Sequence, residues 1–313
     1  MQKKRNIYLT ISLCLLAVMS AGLFFFTQEE TKPEVNRDYF KLKESEKIDQ
    51  VTLHSAEGTV DLKFEKNHWR VNGKWDADMQ MIKLLFATLN QSEVRRPVAA
   101  SVKDSVLQRM KQNGIRVTLS EAGISKNDFM AAGNEPKTEA WFLKVGETQP
   151  YVMIIPGYRV YVVGILEMAE REWRDKRIFD FNWRNFKSLT STYPKEPNQS
   201  FEIEMKGQYV GIKNMERTDT SKLNTYLDAV SLLFATRFVP PHLQGIDSLG
   251  TTAPAVRIEI RDIANRAYSL ELFAPRRKDT EIYGRLADGE IVTFEKKIIA
   301  EIVRRRDYFL LKE

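Results

Sequence analysis

The chain has 313 residues, 43% of them hydrophobic, and a formal charge of +6 at pH 7. This composition is typical of a folded protein and excludes a disordered or fibrous one. Lys3, Lys4 and Arg5 supply half of the charge, so the remainder is too balanced to predict nucleic-acid binding. The single cysteine, Cys14, excludes intramolecular disulfides and cysteine-rich metal sites.

The N-terminal segment has the pattern of a membrane anchor. Residues 7–26 follow the three basic residues and carry no charge. A helix of about 20 residues spans about 30 Å, the thickness of a bilayer's hydrocarbon core. We predict a single-pass anchor in the bacterial inner membrane, with residues 1–6 in the cytoplasm and the ectodomain in the periplasm. A cleaved signal peptide, with Ser20 and Ala21 at its cleavage site, is the alternative.

Residues 27–38 are polar and contain Pro33, which predicts a short tether before a folded region that begins at residue 39. Alternating stretches follow, with Val60, Leu62 and Phe64 on one face, and such alternation predicts strands with one buried face. The turn residues at 57–58 and 72–73 fit tight connections between these strands.

The residues after these strands have apolar side chains at helical spacing. Asp76 or Asp78 can cap a helix whose apolar residues are Met79, Ile82, Leu85, Phe86 and Leu89. A second helix is predicted over residues 101–113, with Gly114 as its C-terminal stop.

The pentapeptide LLFAT occurs at residues 84–88 and again at 232–236. We interpret its second copy as part of a helix that Asp219, Thr220 or Ser221 caps and that prolines 240 and 241 end. Three further matches follow in the same order: residues 112–115 with 243–246, Gly157 with Gly289, and Asp175 with Asp307.

These matches indicate a diverged internal duplication. The predicted fold class is α+β, with mostly antiparallel sheet and packed helices. After the transmembrane helix come two copies of a unit that consists of a strand hairpin, a helix, further strands and a closing helix. The units span residues 39–190 and 191–313, and their closing helices span 165–175 and 294–307.

Catalytic motifs are sparse. The histidines are His54, His68 and His242, and none has a partner at zinc-site spacing, so neither a metal nor a cofactor is predicted. The sequence contains no nucleophile elbow, phosphate-binding loop or dinucleotide glycine pattern. The carboxylate pairs at 76/78, 170/172 and 202/204 are interpreted as a cap or as solvated faces, because acid–base catalysis would require burial.

Asp175 and Asp307 recur beside arginines, which would suit catalytic acids. We interpret them as structural residues that each end a helix and pair with a local arginine. Basic clusters lie at residues 95–96, 276–278, 296–297 and 304–306. Such a cluster near a bilayer could meet an acidic partner or anionic lipid head groups, so Arg304, Arg305 and Arg306 are the predicted partner-binding residues.

Residues 64–98, with a strand hairpin that ends in "WRVNG" before the helix, resemble an uncharacterised family of membrane-anchored bacterial proteins that contain a domain of unknown function. Residues 112–115, 141–147, 151–163 and 173–181 share this resemblance. It covers roughly residues 39–186, with a weaker echo in the second half. Members of that family are often encoded beside gliding-motility-type ABC transporter components, and the family implies no catalytic residues.

The sequence therefore predicts a membrane-anchored extracytoplasmic binding or scaffold protein, an accessory to an envelope complex such as an ABC-type transporter. The bilayer, through residues 7–26, and a protein of the cell envelope are its expected partners. The alternatives are an envelope hydrolase that uses a carboxylate pair, and an ectodomain that senses a small ligand between two lobes.

Overall fold

The structure is a computed structural model that describes residues 12–22, 35–42, 44–207, 209–240, 249, 252–275 and 280–311. Its strands belong to two large antiparallel sheets, and α-helices occur between runs of strands, so the α+β class is confirmed. The described α-helices are α1 (12–22), α2 (Met79–Gln91), α3 (Ala100–Asn113), α4 (Glu170–Trp173), α5 (Thr220–Ser231) and α6 (Lys296–Ile302).

Seventeen strands are described. Those of the first half are β1 (Gln50–Ser55), β2 (Gly58–Glu65), β3 (His68–Val71), β4 (Trp75–Asp76), β5 (Glu93–Pro97), β6 (Ile115–Glu121), β7 (Ile124–Gly133), β8 (Ala140–Lys144) and β9 (Tyr151–Ile154). Those of the second half are β10 (Phe186–Thr192), β11 (Phe201–Lys206), β12 (Tyr209–Ile212), β13 (Arg237–Phe238), β14 (Val256–Asp262), β15 (Ala267–Leu272), β16 (Glu281–Leu286) and β17 (Ile291–Glu295).

The chain forms two compact units. Unit 1 takes in the described residues of Met1–Ile48, His54–Glu57 and Phe86–Leu166. Its strands β6, β7, β8, β9 and β5 are hydrogen-bonded neighbours in that order, and every pair is antiparallel. The buried side chains of α3 and this sheet form one apolar cluster, which includes Val98, Val106, Met110, Ala132, Trp141 and Val152.

Unit 2 takes in Asp49–Leu53, Gly58–Leu85 and Glu167–Glu313. It contains the antiparallel strands β2, β3 and β4, and a sheet in the order β12, β11, β10, β14, β15, β16, β17, β13. Along β14, Val256, Ile258 and Ile260 are buried while the residues between them are exposed. This alternation directs one face of the sheet toward α5 and α6, whose apolar residues belong to the same buried cluster.

The predicted starts of α2 and α5 are confirmed. The Asp78 carboxylate accepts hydrogen bonds from the backbone N–H groups of Gln80 (2.8 Å) and Met81 (3.3 Å) at the start of α2. Asp219 accepts from the Lys222 N–H at 3.1 Å at the start of α5. These carboxylates satisfy N–H groups that the first helical turn cannot pair internally.

Gly114 ends α3 as predicted, but it does not adopt the left-handed conformation that usually makes glycine favourable at this position. Its φ is −75°, which any residue can adopt. A Cβ at this position would lie 2.1 Å from the Met110 carbonyl oxygen, so the backbone approaches too closely for a side chain. Glycine is required here by space rather than by backbone torsion.

The two LLFAT segments do not occupy equivalent places. Residues 84–88 lie in the middle of α2, whereas α5 ends at Ser231, immediately before residues 232–236. The prediction that the second copy is helical up to Pro240 is therefore wrong. The physical reason is pairing: the Ile178 N–H donates to the Leu233 carbonyl at 3.0 Å, and this extended contact replaces the helix.

The predicted closing helices are also shorter than expected. In the first half, a 3-10 turn at Val162–Ile165 is followed only by the four-residue helix α4. In the second half, α6 ends at Ile302 and a 3-10 turn follows at Arg306–Phe309. Directly after α4 the Arg174 backbone pairs with Ala77, which precedes α2, and after the second 3-10 turn the Leu310 backbone pairs with Thr218, which precedes α5.

Phe64 departs from the predicted buried face. Val60 and Leu62 are buried on β2, but the Phe64 side chain is exposed and its ring lies 5.8 Å from the Trp69 ring. Phe40, beside the predicted start of the folded region, is buried, and its carbonyl accepts a 2.8 Å hydrogen bond from Asn127.

The predicted anchor and tether are only partly described. Of residues 7–26, the structure describes 12–22, which are helical, and residues 7–11, 23–26 and 27–34 lie outside the described residues. Within the described part of the chain, no helix has both the length and the apolar character needed to span a membrane.

Candidate functional site

Arg174, the residue before Asp175, is a buried charged side chain, with 4% of its surface exposed. Its backbone forms an isolated antiparallel bridge with Ala77, and the preceding Trp173 carbonyl accepts a 2.8 Å bond from the Asp78 N–H. The end of α4 is thereby held against the start of α2. Arg174 therefore lies where two segments of unit 2 meet.

The Arg174 guanidinium is held by three side chains. Its carbon lies 3.6 Å from the centroid of the Trp75 ring and 4.0 Å from that of Phe238. Nη1 donates to Glu290 Oε1 at 2.9 Å and Nη2 donates to Glu290 Oε2, while the buried Nε has no hydrogen-bond partner among the described residues. Two aromatic faces and a two-point carboxylate are a strong arrangement for arginine. They link β4, β13 and the β16–β17 turn.

The sequence pattern indicated Asp175, and not the neighbouring Arg174, as a candidate site residue. The Asp175 N–H donates to the carbonyl of Asp76, two residues before the α2 cap Asp78, at 2.8 Å. The equivalent acceptor before α5 is the Arg217 carbonyl, and its donor is the Leu311 N–H at 3.1 Å. By this pattern Leu311, and not Asp307, takes the place of Asp175. The predicted equivalence of the two aspartates is therefore wrong, because the matching letters are out of register with the backbone pairing.

Both aspartates make local contacts. Asp175 Oδ1 accepts a 2.9 Å hydrogen bond from the Arg177 backbone N–H, which stabilises the turn after α4. Asp307 is exposed, and its N–H lies 3.4 Å from Gln199 Oε1. These are contacts with backbone and amide groups, and the predicted pairing of each aspartate with an arginine side chain is not found among the described residues.

The structure gives each of the three predicted partner-binding arginines an internal contact. The Arg304 guanidinium lies 4.7 Å from the Tyr308 ring centroid, and Arg306 Nη2 donates to the Asn214 carbonyl at 2.7 Å. Arg305 donates from Nε (2.8 Å) and Nη2 (2.7 Å) to the Glu196 carboxylate. Any partner of these three arginines would have to bind the guanidinium N–H groups that make none of these internal contacts.

An exposed apolar strip lies beside α5, and two of its residues, Leu232 and Phe234, belong to the second LLFAT segment. The Trp183 indole N–H donates to Asp228 Oδ1 at 3.0 Å, and Leu232 lies one helical turn beyond Asp228. Phe234 follows and forms an antiparallel bridge with Arg177, whose guanidinium carbon lies 5.7 Å from its ring centroid. The exposed fractions are 47% for Trp183, 70% for Leu232 and 44% for Phe234. We call these three residues the α5 patch.

The predicted carboxylate pairs lie at the surface or are partly exposed. Asp76 binds Arg70 at 3.0 Å and His68 at 3.2 Å, and Glu202 binds Lys213 at 3.0 Å. Glu170 accepts from the Asn72 side chain at 3.0 Å. No cluster of metal-ligating side chains occurs in the part of the chain that the structure describes. His242 and the basic residues 276–278 lie outside that part.

Comparison with known proteins gives one match. The model of the family called Domain of unknown function (DUF4340) matches residues 69–253, which are more than half of the chain. The matched region begins later than residue 39 and extends beyond residue 186, the limits that the sequence resemblance suggested. No curated protein and no solved structure matches the chain. The chain belongs to this family of uncharacterised domains.

Proposed function

We propose that the protein is a membrane-anchored periplasmic binding protein that serves as an accessory or scaffold of an envelope complex, such as an ABC-type transporter. The observation that carries the binding role is the α5 patch: Trp183 is hydrogen-bonded to Asp228 near the end of α5, Leu232 and Phe234 follow that end, and all three large apolar side chains are exposed. Exposed apolar surface of this kind is typical of interaction sites.

The chemistry of the α5 patch suits a protein partner. Tryptophan, phenylalanine and arginine are enriched among the residues that dominate protein–protein binding energy. Arg177 borders Phe234 and is paired with Asp180 at 3.6 Å, so charged groups surround an apolar centre. An apolar centre within a polar rim is the usual anatomy of such an interface. We therefore expect the partner to present an apolar pocket to Leu232 and Phe234.

Site-specific crosslinking in intact cells tests this proposal. A photoreactive amino acid at position 232 should give a discrete crosslinked product, and the same group at Ile124, which is 64% exposed on β7, serves as the control. The additional substitutions Trp183→Ser and Phe234→Ser should remove the product while the protein remains folded, as judged by its circular dichroism spectrum. Equal products from positions 232 and 124, or a product that survives both substitutions, would show that the α5 patch binds no specific partner.

The proposed location depends on the N-terminal sequence. Residues 7–26 carry no charge and follow three basic residues, which supports an anchor with a cytoplasmic N-terminus. A random-coil linker of about 12 residues has a root-mean-square reach of about 20 Å. The ectodomain would therefore meet its neighbours at high effective concentration, so that contacts weak in solution would suffice.

We propose further that the two halves descend from one duplicated unit. The supporting observation is strand order: β6, β7, β8, β9, β5 in unit 1 and β14, β15, β16, β17, β13 in unit 2. In each series the last strand directly follows a long helix. Gly146 and Gly289 precede β9 and β17 with φ values of 88° and 87°, so Gly146, and not Gly157, matches Gly289. An experimental structure in which β13 paired with a strand other than β17 would contradict the duplication.

A further inference from the structure

A cleft of about 260 Å³ lies in unit 2 beside the predicted arginine cluster. Its walls come from the segment after β10, the first residue of β14, the end of β15 and the end of α6. The lining residues are Tyr193, Lys195, Glu196, Ala255, Val256, Ala274, Val303 and Arg305. This cleft is separate from the α5 patch in its residues.

Three charged side chains of the cleft leave it with one excess positive charge. Arg305 binds Glu196 through Nε and Nη2, and this hydrogen bonding holds the pKa of Glu196 below its usual range, so the pair is ionised and neutral as a whole. Lys195 is exposed, and no ion pair to it occurs among the described residues. The Lys195 ammonium and the Nη1 group of Arg305, which the pair with Glu196 does not use, remain available as donors.

The remaining walls are small and aliphatic. Ala255, Val256, Ala274 and Val303 contribute methyl groups, and the Tyr193 hydroxyl donates to the Arg304 carbonyl at 2.6 Å. Burial raises the pKa of Tyr193 to about 12, so the phenol stays neutral. Apolar walls with a few polar groups at one side are typical of small-ligand sites. Such walls favour an aliphatic group, and a monoanion neutralises the single excess positive charge, whereas a phosphate dianion would leave one negative charge unbalanced in the cleft.

We infer that this cleft binds a carboxylate carried on an aliphatic group, such as the free C-terminus of a peptide that ends in a branched apolar residue. The carboxylate lies against the Lys195 ammonium and Arg305 Nη1, and the aliphatic side chain packs on Ala255, Val256, Ala274 and Val303. This site goes beyond the proposed scaffold role and does not depend on the α5 patch.

The test uses the full-length protein in non-ionic detergent and a dye-labelled tetrapeptide that ends in leucine with a free carboxylate. Fluorescence anisotropy should show saturable binding, and the C-terminal amide of the same peptide should bind at least about tenfold more weakly, because a charge-assisted hydrogen bond is lost. Lys195→Gln should weaken binding of the acid by a similar factor. Lys297→Gln, which changes another exposed lysine, is the matched control and should leave binding unchanged.

A second variant tests the location. Ala274 is exposed at the cleft, so Ala274→Trp should fill the space and abolish binding while the melting temperature is retained. Binding that survives Ala274→Trp, equal binding of acid and amide, or no saturable binding of the acid would each overturn the inference. Inorganic phosphate that displaced the peptide at equal concentration would instead assign the cleft to phosphate groups and would also overturn it.

Discussion

The Arg174 guanidinium forms a two-point ion pair with the Glu290 carboxylate, 116 residues further along the chain, while it lies between the rings of Trp75 and Phe238. Arg174 is almost fully buried, but the Glu290 side chain remains 29% exposed. A buried cation that loses its carboxylate keeps its desolvation cost without compensation. This pair therefore holds three segments of unit 2 together. Its loss should lower the free energy of unfolding rather than change the binding of a partner.

Replacement of Glu290 by alanine should lower the free energy of unfolding by about 2 to 4 kcal/mol, because Arg174 is left buried without a carboxylate. Urea unfolding of the purified protein measures the change. The double variant Arg174→Leu/Glu290→Ala should lose less than the sum of the losses in Arg174→Leu and Glu290→Ala alone, since it removes both charges. Strict additivity of the two changes would show that the pair contributes no coupling energy.

A three-residue charge ladder crosses the second sheet. Glu271 on β15 lies opposite Arg257 on β14 and Arg285 on β16, and it accepts hydrogen bonds from Arg257 Nε at 2.9 Å and Arg285 Nε at 2.7 Å. Burial by itself raises the pKa of Glu271, but the two arginines outweigh burial and hold this pKa below its usual range. The ionised form is thus favoured by the fold.

Glu271→Gln should reduce stability at neutral pH by about 1 to 3 kcal/mol, because two charge-assisted hydrogen bonds are weakened. The folded-state pKa is depressed, so this contribution is fully present above the unfolded pKa of about 4.3 and is lost as the pH falls through the lower folded value. Unfolding free energies of the native and variant proteins should therefore converge below pH 4.3, roughly. Glu259→Gln, at an exposed position of β14, is the control. A difference that stayed constant with pH would refute the ladder's electrostatic role.

Gly114→Ala should destabilise the protein by about 1 to 3 kcal/mol, because overpacking against a fixed backbone forces atoms to move. The added Cβ would lie 2.1 Å from the Met110 carbonyl oxygen and 2.8 Å from Met130 Cε. Thermal unfolding measures the effect, and Asn113→Ala, at the exposed last residue of α3, is the control. An unchanged melting temperature for Gly114→Ala would mean that the chain does not approach itself so closely.

The proposed anchor predicts a sided membrane topology. Protease added to spheroplasts should digest residues 39–313 while a tag at the N-terminus stays protected, because the basic residues before position 7 favour the cytoplasmic side. Lysed spheroplasts, in which both ends become accessible, are the control. Protection of the whole body of the protein in intact spheroplasts would contradict the periplasmic location.

Local sequence patterns predicted the elements that depend on nearby residues. The aspartate caps of α2 and α5, the end of α3 at Gly114 and the buried positions Val60 and Leu62 on β2 are visible within a few residues. The predictions about LLFAT and about the closing helices were wrong, because identical letters can lie in different backbone environments. Leu85 is buried in the middle of α2, whereas its counterpart Leu233 lies beyond the end of α5.

The sequence by itself determined the α+β class and the family, because side-chain periodicity and family motifs are encoded in adjacent positions. Only the tertiary structure decided which charges are free. Arg305 belongs to a predicted basic cluster, yet Glu196, more than a hundred residues away, occupies two of its donors, while the neighbouring Lys195 stays exposed. A charged side chain finds its partner through chain contacts that are distant in sequence, and those contacts also created the α5 patch and the cleft.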